Sequence, residues 1–144
     1  MATAARVLRF TVLALAVLWG MSGCGGITSA KPKAEAAVSV FHDQLNAADS
    51  DAIWNGATDK FHDSTPRPKF DKFIQAVHSK LGRVTGTSNA GWRVGNFNFK
   101  TTVVLQQKTT FERGSGTETF TYVLYGDDVK LEAYNVQSMD LVTL

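Results

Sequence analysis

The amino-acid sequence predicts an α+β domain in which N-terminal helices pack on one face of a four-stranded antiparallel meander sheet. Three observations support this fold class. Apolar residues recur at helical spacing as far as position 81, they alternate with polar residues from position 99 onward, and glycine-containing turns separate the later strands. Short connections make neighbouring strands antiparallel, and helices can cover the apolar face of such a sheet.

A leader precedes this domain. Residues 1–23 contain Arg6 and Arg9, an apolar run from Thr11 to Trp19, and then small residues, which is the three-zone pattern of a secretory signal. The run is shorter than the roughly 20 apolar residues that span a bilayer. We therefore predict that residues 1–23 are a cleaved export signal and not a transmembrane anchor.

The single cysteine, Cys24, follows this leader directly. The segment Met21-Ser22-Gly23-Cys24 resembles the bacterial lipobox, with methionine where leucine is usual. The resemblance implies that Cys24 is the lipidation site, acylated on its thiol and on its new amine, and that the membrane is a partner of the protein. The alternative is an ordinary cleaved signal followed by an incidental cysteine. Gly25 after the cysteine resembles the outer-membrane sorting default, with the domain in the periplasm of the cell envelope.

Charge excludes one class of partner. The two arginines of the leader belong to the 15 basic residues of the chain, so the mature part has 13 basic and 13 acidic residues and no net charge. A neutral domain without a Lys/Arg cluster lacks the field that attracts phosphates. We expect no nucleic-acid partner, and the sequence indicates no cofactor.

Residues 24–33 predict a tether, because their Gly, Ser and Pro content cannot bury enough surface to become ordered. The domain then extends over residues 34–144. A helix is predicted from about 33 to 48, and Asp49 can cap a second, short helix. Their apolar residues are Ala34, Ala37, Val38, Phe41, Leu45 and Ala48 in the first helix, and Ile53, Trp54 and Ala57 in the second.

A third helix follows the breaker Thr65-Pro66-Arg67-Pro68, since proline suits the first helical turn. Gly82 is predicted to end it. Its apolar stripe consists of Phe70, Phe73, Ile74, Val77 and Leu81.

The second half of the chain alternates with period two. The odd positions from Phe99 to Phe111 are mostly apolar and predict one inward face, and Phe120, Tyr122 and Leu124 predict the inward face of the next strand. In the last strand Val129, Leu131 and Ala133 are expected opposite Lys130, Glu132 and Tyr134. The first strand is expected around Val84–Ser88, with Gly91–Val94 as a further candidate segment.

This order of elements resembles the cystatin-like, nuclear-transport-factor-2-like superfamily. Within it, residues 34–138 are similar to domain-of-unknown-function family 4019. The resemblance is carried by Asp49-Ser50-Asp51-Ala52-Ile53-Trp54, Lys80-Leu81-Gly82-Arg83, the run Thr102–Phe111, and Glu118-Thr119-Phe120-Thr121-Tyr122. The last strand lacks the central aromatic expected there. The family implies a fold but no established activity.

The superfamily implies a cavity between sheet and helices, in which some members carry out isomerase or hydrolase chemistry. Such catalysis needs an inward acid or base. Glu118 is the only acid in phase with the inward face of its strand, and Gln107, Thr109 and Tyr122 share that phase and are expected to line the same pocket. The alternative is that Glu118 only starts a strand at a solvated hairpin end.

The histidines do not have the spacing of metal ligands. His42 and His78 each lie one step beside the apolar stripe of a helix, without a second ligand at i+4 or a close Cys/His group. We interpret both as boundary histidines satisfied by water or backbone. Trp54 is expected to pack in the core against Phe61 or Phe70.

The sequence leaves three functions open. The first is a non-enzymatic accessory lipoprotein that offers a pocket or sheet edge to a small-molecule ligand or an envelope protein. The second is an isomerase or hydrolase with Glu118 as acid/base, which requires Glu118 inside an open cavity. The third is a structural homodimer that packs sheet on sheet. A core filled by Phe73, Leu105 and Phe120 would favour the first over the second.

Overall fold

The computed structural model describes residues 28–142. The predicted export signal (1–23) and the predicted lipidation site Cys24 lie outside these residues. The elements are α1 (Ala30–Asn46), α2 (Ser50–Asn55), α3 (Asp59–Ser64), α4 (Arg67–Leu81), β1 (Val84–Phe97), β2 (Lys100–Phe111), β3 (Gly114–Tyr125), β4 (Asp128–Gln137) and a 3₁₀ turn at Met139–Leu141. Over the described part of the chain, no helix is long and apolar enough to cross a membrane.

The predicted α+β class and meander are confirmed. The four strands are antiparallel, in the order β1-β2-β3-β4. One sheet face is covered by the helices, and the core between them includes the fully buried side chains of Leu105 and Phe120, with Phe73 packed against it.

Helix α1 begins at Ala30, three residues before the predicted start, and ends at Asn46, two residues before the predicted end. Ala48, predicted in its apolar stripe, lies outside the helix with φ 53° and is exposed. The four residues 30–33, assigned to the tether from their composition, form the first turn of α1. Pro32 is tolerated there because the first turn leaves its backbone N–H groups unpaired. Burial supplies the stabilisation, since Ala30 and Ala34 are both fully buried.

Helix α3 was not predicted. Its six residues contain a single buried apolar side chain, Phe61, so they show no helical period. Thr58 caps this helix by accepting a hydrogen bond from the Phe61 backbone N–H at 3.2 Å. The predicted helices α2 and α4 are confirmed, with Asp49 capping α2 and Gly82 (φ 81°) ending α4.

The predicted facing of β4 is wrong beyond Leu131. Ala133 pairs with Thr121 while Leu131 pairs with Tyr122, so Glu132 forms a β-bulge. The bulge shifts the alternation by one residue. As a result Leu131, Tyr134 and the buried Val136 all face the helices, and Ala133 faces solvent.

Strand β1 is one continuous edge strand of 14 residues and not two short segments. Two register shifts interrupt its pairing with β2, and most of its residues are exposed, so alternation is lost in the sequence. The opposite edge is partly covered, because the Thr58 N–H donates to Leu131 O (2.8 Å) and the Leu131 N–H donates to Gly56 O (3.1 Å).

The β1–β2 turn consists of Asn98 (φ 49°) and Phe99 (φ 61°), both left-handed as a type I′ turn requires. Asparagine is common in this conformation, but a bulky phenylalanine is strained there. The Phe99 side chain is fully exposed and gains no packing in return.

We predict that Phe99→Gly raises the free energy of unfolding by about 0.5–1 kcal/mol, because glycine adopts positive φ without strain. Urea denaturation measures this change.

Gly126→Ala is the matched control. Gly126 has φ 64° in the β3–β4 turn, and a methyl group added there would meet open space, so only backbone strain changes. We expect a loss of about 1 kcal/mol. A Phe99→Gly protein that is less stable than the parent contradicts the strain assignment.

Candidate functional site

Glu118 is a carboxylate buried in the core that receives hydrogen bonds from three other elements. Oε2 lies 2.6 Å from His42 Nε2 on α1 and 2.5 Å from the Thr109 hydroxyl on β2. Oε1 accepts from the Tyr134 hydroxyl on β4 at 2.6 Å. Glu118 itself lies on β3 and is 0% exposed. We call these four residues the Glu118 network.

Strand register brings the network together. Glu118 pairs with Gln107 on β2 and with Val136 on β4, so Thr109 and Tyr134 each lie two residues from a position directly opposite it. The bulge at Glu132 turns Tyr134 inward. The Tyr134 ring then packs against Phe41 on α1, with ring centroids 4.5 Å apart.

The network satisfies Glu118 and closes it off. A buried carboxylate is tolerated when it is paired and hydrogen-bonded, and here both oxygens have donors. A general acid or base must reach its substrate directly or through one water. Because Glu118 is enclosed by its partners and the core, the arrangement orders the fold and does not present a proton to a bound molecule.

Two tyrosines beside Glu118 are held protonated. Burial raises the pKa of Tyr134 well above its ordinary value, and the negative charge of Glu118 raises it further. Burial and then the Glu118 charge also raise the pKa of Tyr122. Both phenols are therefore neutral hydrogen-bond donors at physiological pH.

Tyr122 differs from Tyr134 in having no acceptor. Its side chain is 3% exposed, and its buried hydroxyl finds no hydrogen-bond partner among the described residues. An unpaired buried hydroxyl costs about 1–3 kcal/mol. Unpaired buried hydroxyl groups are rare in folded proteins. Tyr122 is also one of the residues that line a cleft.

This cleft lies between α1, α2 and the β3–β4 hairpin and has a volume of about 190 Å³. Its walls are mainly apolar. Val40 is 54% exposed and stands at the surface of the cleft, and Gln44 adds an amide. The full lining is Ala37, Val40, Phe41, Gln44, Ile53, Gly56, Tyr122, Val129 and Leu131. We call it the Tyr122 cleft.

The four residues predicted to share a pocket lie in three places. Glu118 and Thr109 belong to the buried network, and Gln107, itself buried, accepts a hydrogen bond from the Thr87 hydroxyl at 3.3 Å. Only Tyr122 lines the cleft. The alternative that Glu118 lies at a solvated hairpin end is wrong, because its side chain is fully buried.

The interpretation of His42 as a boundary histidine is also wrong. His42 is 6% exposed, and its Nε2 lies 2.6 Å from the side-chain Oε2 of Glu118. A signal was present, because His42 follows Val38 by four residues and precedes Leu45 by three, which places it in the buried stripe. No comparable signal pointed to Tyr134, whose inward position depends on the bulge.

The remaining candidates have structural roles. Trp54 packs against Phe61 and Phe70 as predicted, with ring centroids 5.9 and 5.5 Å apart. His62 stacks on the Trp54 ring at 4.3 Å, and His78 is partly exposed at the boundary of α4. Among residues 28–142, no group of three or more His, Cys, Asp or Glu side chains is arranged to hold a metal ion.

Comparison with known proteins adds no relative: no family model matches the chain, and neither a curated protein nor a solved structure is significantly similar to it.

The two tyrosines give a matched test of this description. We predict that Tyr134→Phe lowers the free energy of unfolding by about 1.5–3 kcal/mol, because it removes a hydrogen bond to a buried carboxylate. Tyr122→Phe removes a hydroxyl without a partner, so stability should stay the same or rise by about 1 kcal/mol. Urea denaturation of both variants checks the difference, and equal losses would refute the assignment of partners.

Proposed function

We propose that the protein is a lipid-anchored lipoprotein of the bacterial cell envelope that binds a small neutral molecule in the Tyr122 cleft without transforming it. Two observations carry this proposal: Tyr122 lines an apolar cleft, and its buried hydroxyl has no hydrogen-bond partner among the described residues. A ligand with a hydrogen-bond acceptor would satisfy this donor while its apolar part contacts the surrounding side chains.

The size of the cleft limits the ligand. Its volume of about 190 Å³ is a little above the roughly 150 Å³ of an apolar protein cavity known to hold benzene. A ligand with one ring or a short chain fits this space. The apolar walls favour a molecule that is mostly hydrocarbon, with a single carbonyl, ether or hydroxyl group directed at Tyr122.

The nearby charge favours a neutral ligand. Burial first, and then the Glu118 charge, raises the pKa of Tyr122, and the same charge would repel a carboxylate or phosphate bound at this hydroxyl. The raised pKa keeps the Tyr122 proton in place as a donor. An uncharged acceptor is therefore the chemistry that the cleft suits best.

The position of Glu118 argues against the alternative of an isomerase or hydrolase. That function requires Glu118 in an open cavity, whereas its oxygens are 2.5–2.6 Å from donors of the protein. The core is filled by Leu105 and Phe120. These contacts support binding over catalysis.

The membrane anchor is the second part of the proposal. The lipobox-like segment ending in Cys24 supports acylation, and the absence of net charge in the mature part leaves the acyl chains as the main source of membrane affinity. The proposed location is the outer membrane, with the domain in the periplasm.

Binding is tested with acetophenone, a small neutral molecule with one carbonyl acceptor, and with ethylbenzene, which lacks the acceptor. In a titration followed by NMR we expect acetophenone to shift the resonances of Val40 and Gln44. Tyr122→Phe should weaken acetophenone binding about fivefold, because a net hydrogen bond contributes about 1 kcal/mol. Ethylbenzene binding should not change.

Tyr125→Phe is the control, since it removes a phenol hydroxyl from an exposed side chain outside the cleft. Its acetophenone affinity should equal that of the parent. An equal loss for both ligands in Tyr122→Phe, or shifts confined to residues away from the cleft, would overturn the binding proposal.

The anchor is tested by Cys24→Ala, which removes the thiol that the lipid would occupy. We predict that the variant carries no acyl chain and accumulates as the uncut precursor, as measured by mass spectrometry of the purified protein. Met21→Leu is the control, because leucine is the usual residue there, and it should mature normally. Normal maturation of Cys24→Ala to a soluble form would refute the anchor.

A further inference from the structure

Three exposed aromatic side chains lie at one end of the sheet. Phe97 is 78% exposed and Phe99 fully exposed in and beside the β1–β2 turn, and Tyr125 is 53% exposed beside the β3–β4 turn. Phe97 pairs with Lys100 at the start of β2, and the next residue, Thr101, pairs with Leu124 near the end of β3. Both turns therefore lie at the same end of the sheet. We call Phe97, Phe99 and Tyr125 the aromatic end.

Helix α1 starts at this same end. Lys33, in its first turn, places Nζ 2.7 Å from Asp127 Oδ1 in the β3–β4 turn. At the other end of the helix, Asn46 Oδ1 accepts a hydrogen bond from the Val84 N–H at 2.7 Å. Because Val84 pairs with Phe111 at the opposite end of the sheet, α1 runs from the aromatic end towards the β2–β3 turn.

The length of chain before α1 restricts where the domain can lie. Five residues separate Cys24 from Ala30, and the six residue-to-residue steps reach about 20 Å at most. The 17-residue α1 is itself about 25 Å long. With Cys24 acylated, as proposed above and as this inference requires, the start of α1 stays near the bilayer, and the aromatic end lies beside it.

The side chains at this end suit a membrane surface. Tyrosine favours the layer between hydrocarbon and water. Phenylalanine is among the apolar residues that interfacial segments bury at the boundary between headgroups and acyl chains. The phenylalanine at position 99 occupies a strained, left-handed turn position without packing against the protein, so the fold does not explain its presence.

Two carboxylates at this end have lysine partners. Asp127 pairs with Lys33 at 2.7 Å, and Glu132 pairs with Lys100 at 2.6 Å. Pairing with lysine reduces the repulsion between these carboxylates and anionic lipid headgroups, and the exposed Asp128 is the remaining acid beside the turn.

We propose that the aromatic end inserts into the headgroup layer of the membrane that carries the lipid anchor. The acyl chains hold the protein on the bilayer, and the three aromatic side chains fix the orientation of the domain. The β2–β3 turn then points away from the membrane.

A nitroxide label tests this arrangement on the full lipoprotein, purified with its natural acyl chains and reconstituted in vesicles of phosphatidylethanolamine and phosphatidylglycerol. Asn98→Cys supplies the label site in the β1–β2 turn, where the side chain is exposed and all three aromatic residues are kept. Ser115→Cys supplies the matched exposed site at the start of β3, beside the β2–β3 turn. Collision rates with oxygen, which concentrates in lipid, and with a water-soluble nickel chelate are measured by electron paramagnetic resonance.

We expect the oxygen-to-nickel collision ratio to be several-fold higher at position 98 than at 115. A label at 98 that meets the nickel chelate as freely as the label at 115 overturns the proposal, and a label at 98 that is shielded from both reagents indicates a second protein copy and also overturns it. Mass spectrometry of the same sample distinguishes a failure of the proposed orientation from a failure of the proposed lipid anchor. Acylated protein with a water-exposed label refutes only the orientation, whereas protein without acyl chains refutes the anchor and the orientation together.

Discussion

The structure depends on one buried carboxylate. Glu118 on β3 binds Thr109 on β2, Tyr134 on β4 and His42 on α1, so a single side chain connects the neighbouring strands on both sides with the helix that covers them. A shift of any of these strands by one residue would turn its donor to the other face and leave the carboxylate unpaired. The network therefore specifies the register of the sheet and the docking of α1.

The same strand also contains a polar group that is not satisfied. Tyr122 lies four residues after Glu118 on the same face, at similar depth, yet its hydroxyl is without a partner in the described part of the chain. Glu118 has three hydrogen-bond partners in the core, whereas the Tyr122 phenol has none among the described residues, so the two side chains differ in role. Glu118 orders the fold through its hydrogen bonds. Tyr122 has no such role in the described part of the chain, and the proposal of a ligand in the Tyr122 cleft rests on this difference.

The sequence predicted the elements in which the spacing of apolar residues shows which face is buried. The stripes of α1 and α4 and the alternation in β2 and β3 are confirmed because each of these elements buries one face. Two predicted inward residues were wrong: Ala48 lies beyond the end of α1 and Phe99 lies in the turn before β2, and both are exposed. The short α3 buries only Phe61, and β1 is largely exposed, so neither has a readable period. The bulge at Glu132 is set by pairing with β3, which the residues of β4 alone do not reveal.

The candidate site was also predictable only where a residue's own strand shows its direction. The inward phase of Glu118 was predictable from its own strand, but its partners were not, because Tyr134 depends on the bulge and His42 on the docking of a distant helix. The most direct test of the closed network is solvent exchange of the His42 Nε2 and Tyr134 hydroxyl protons, followed by NMR. Sealed hydrogen bonds to Glu118 predict observable, slowly exchanging protons at both atoms. Rapid exchange with water at both would show that Glu118 is open to solvent and would contradict its structural role.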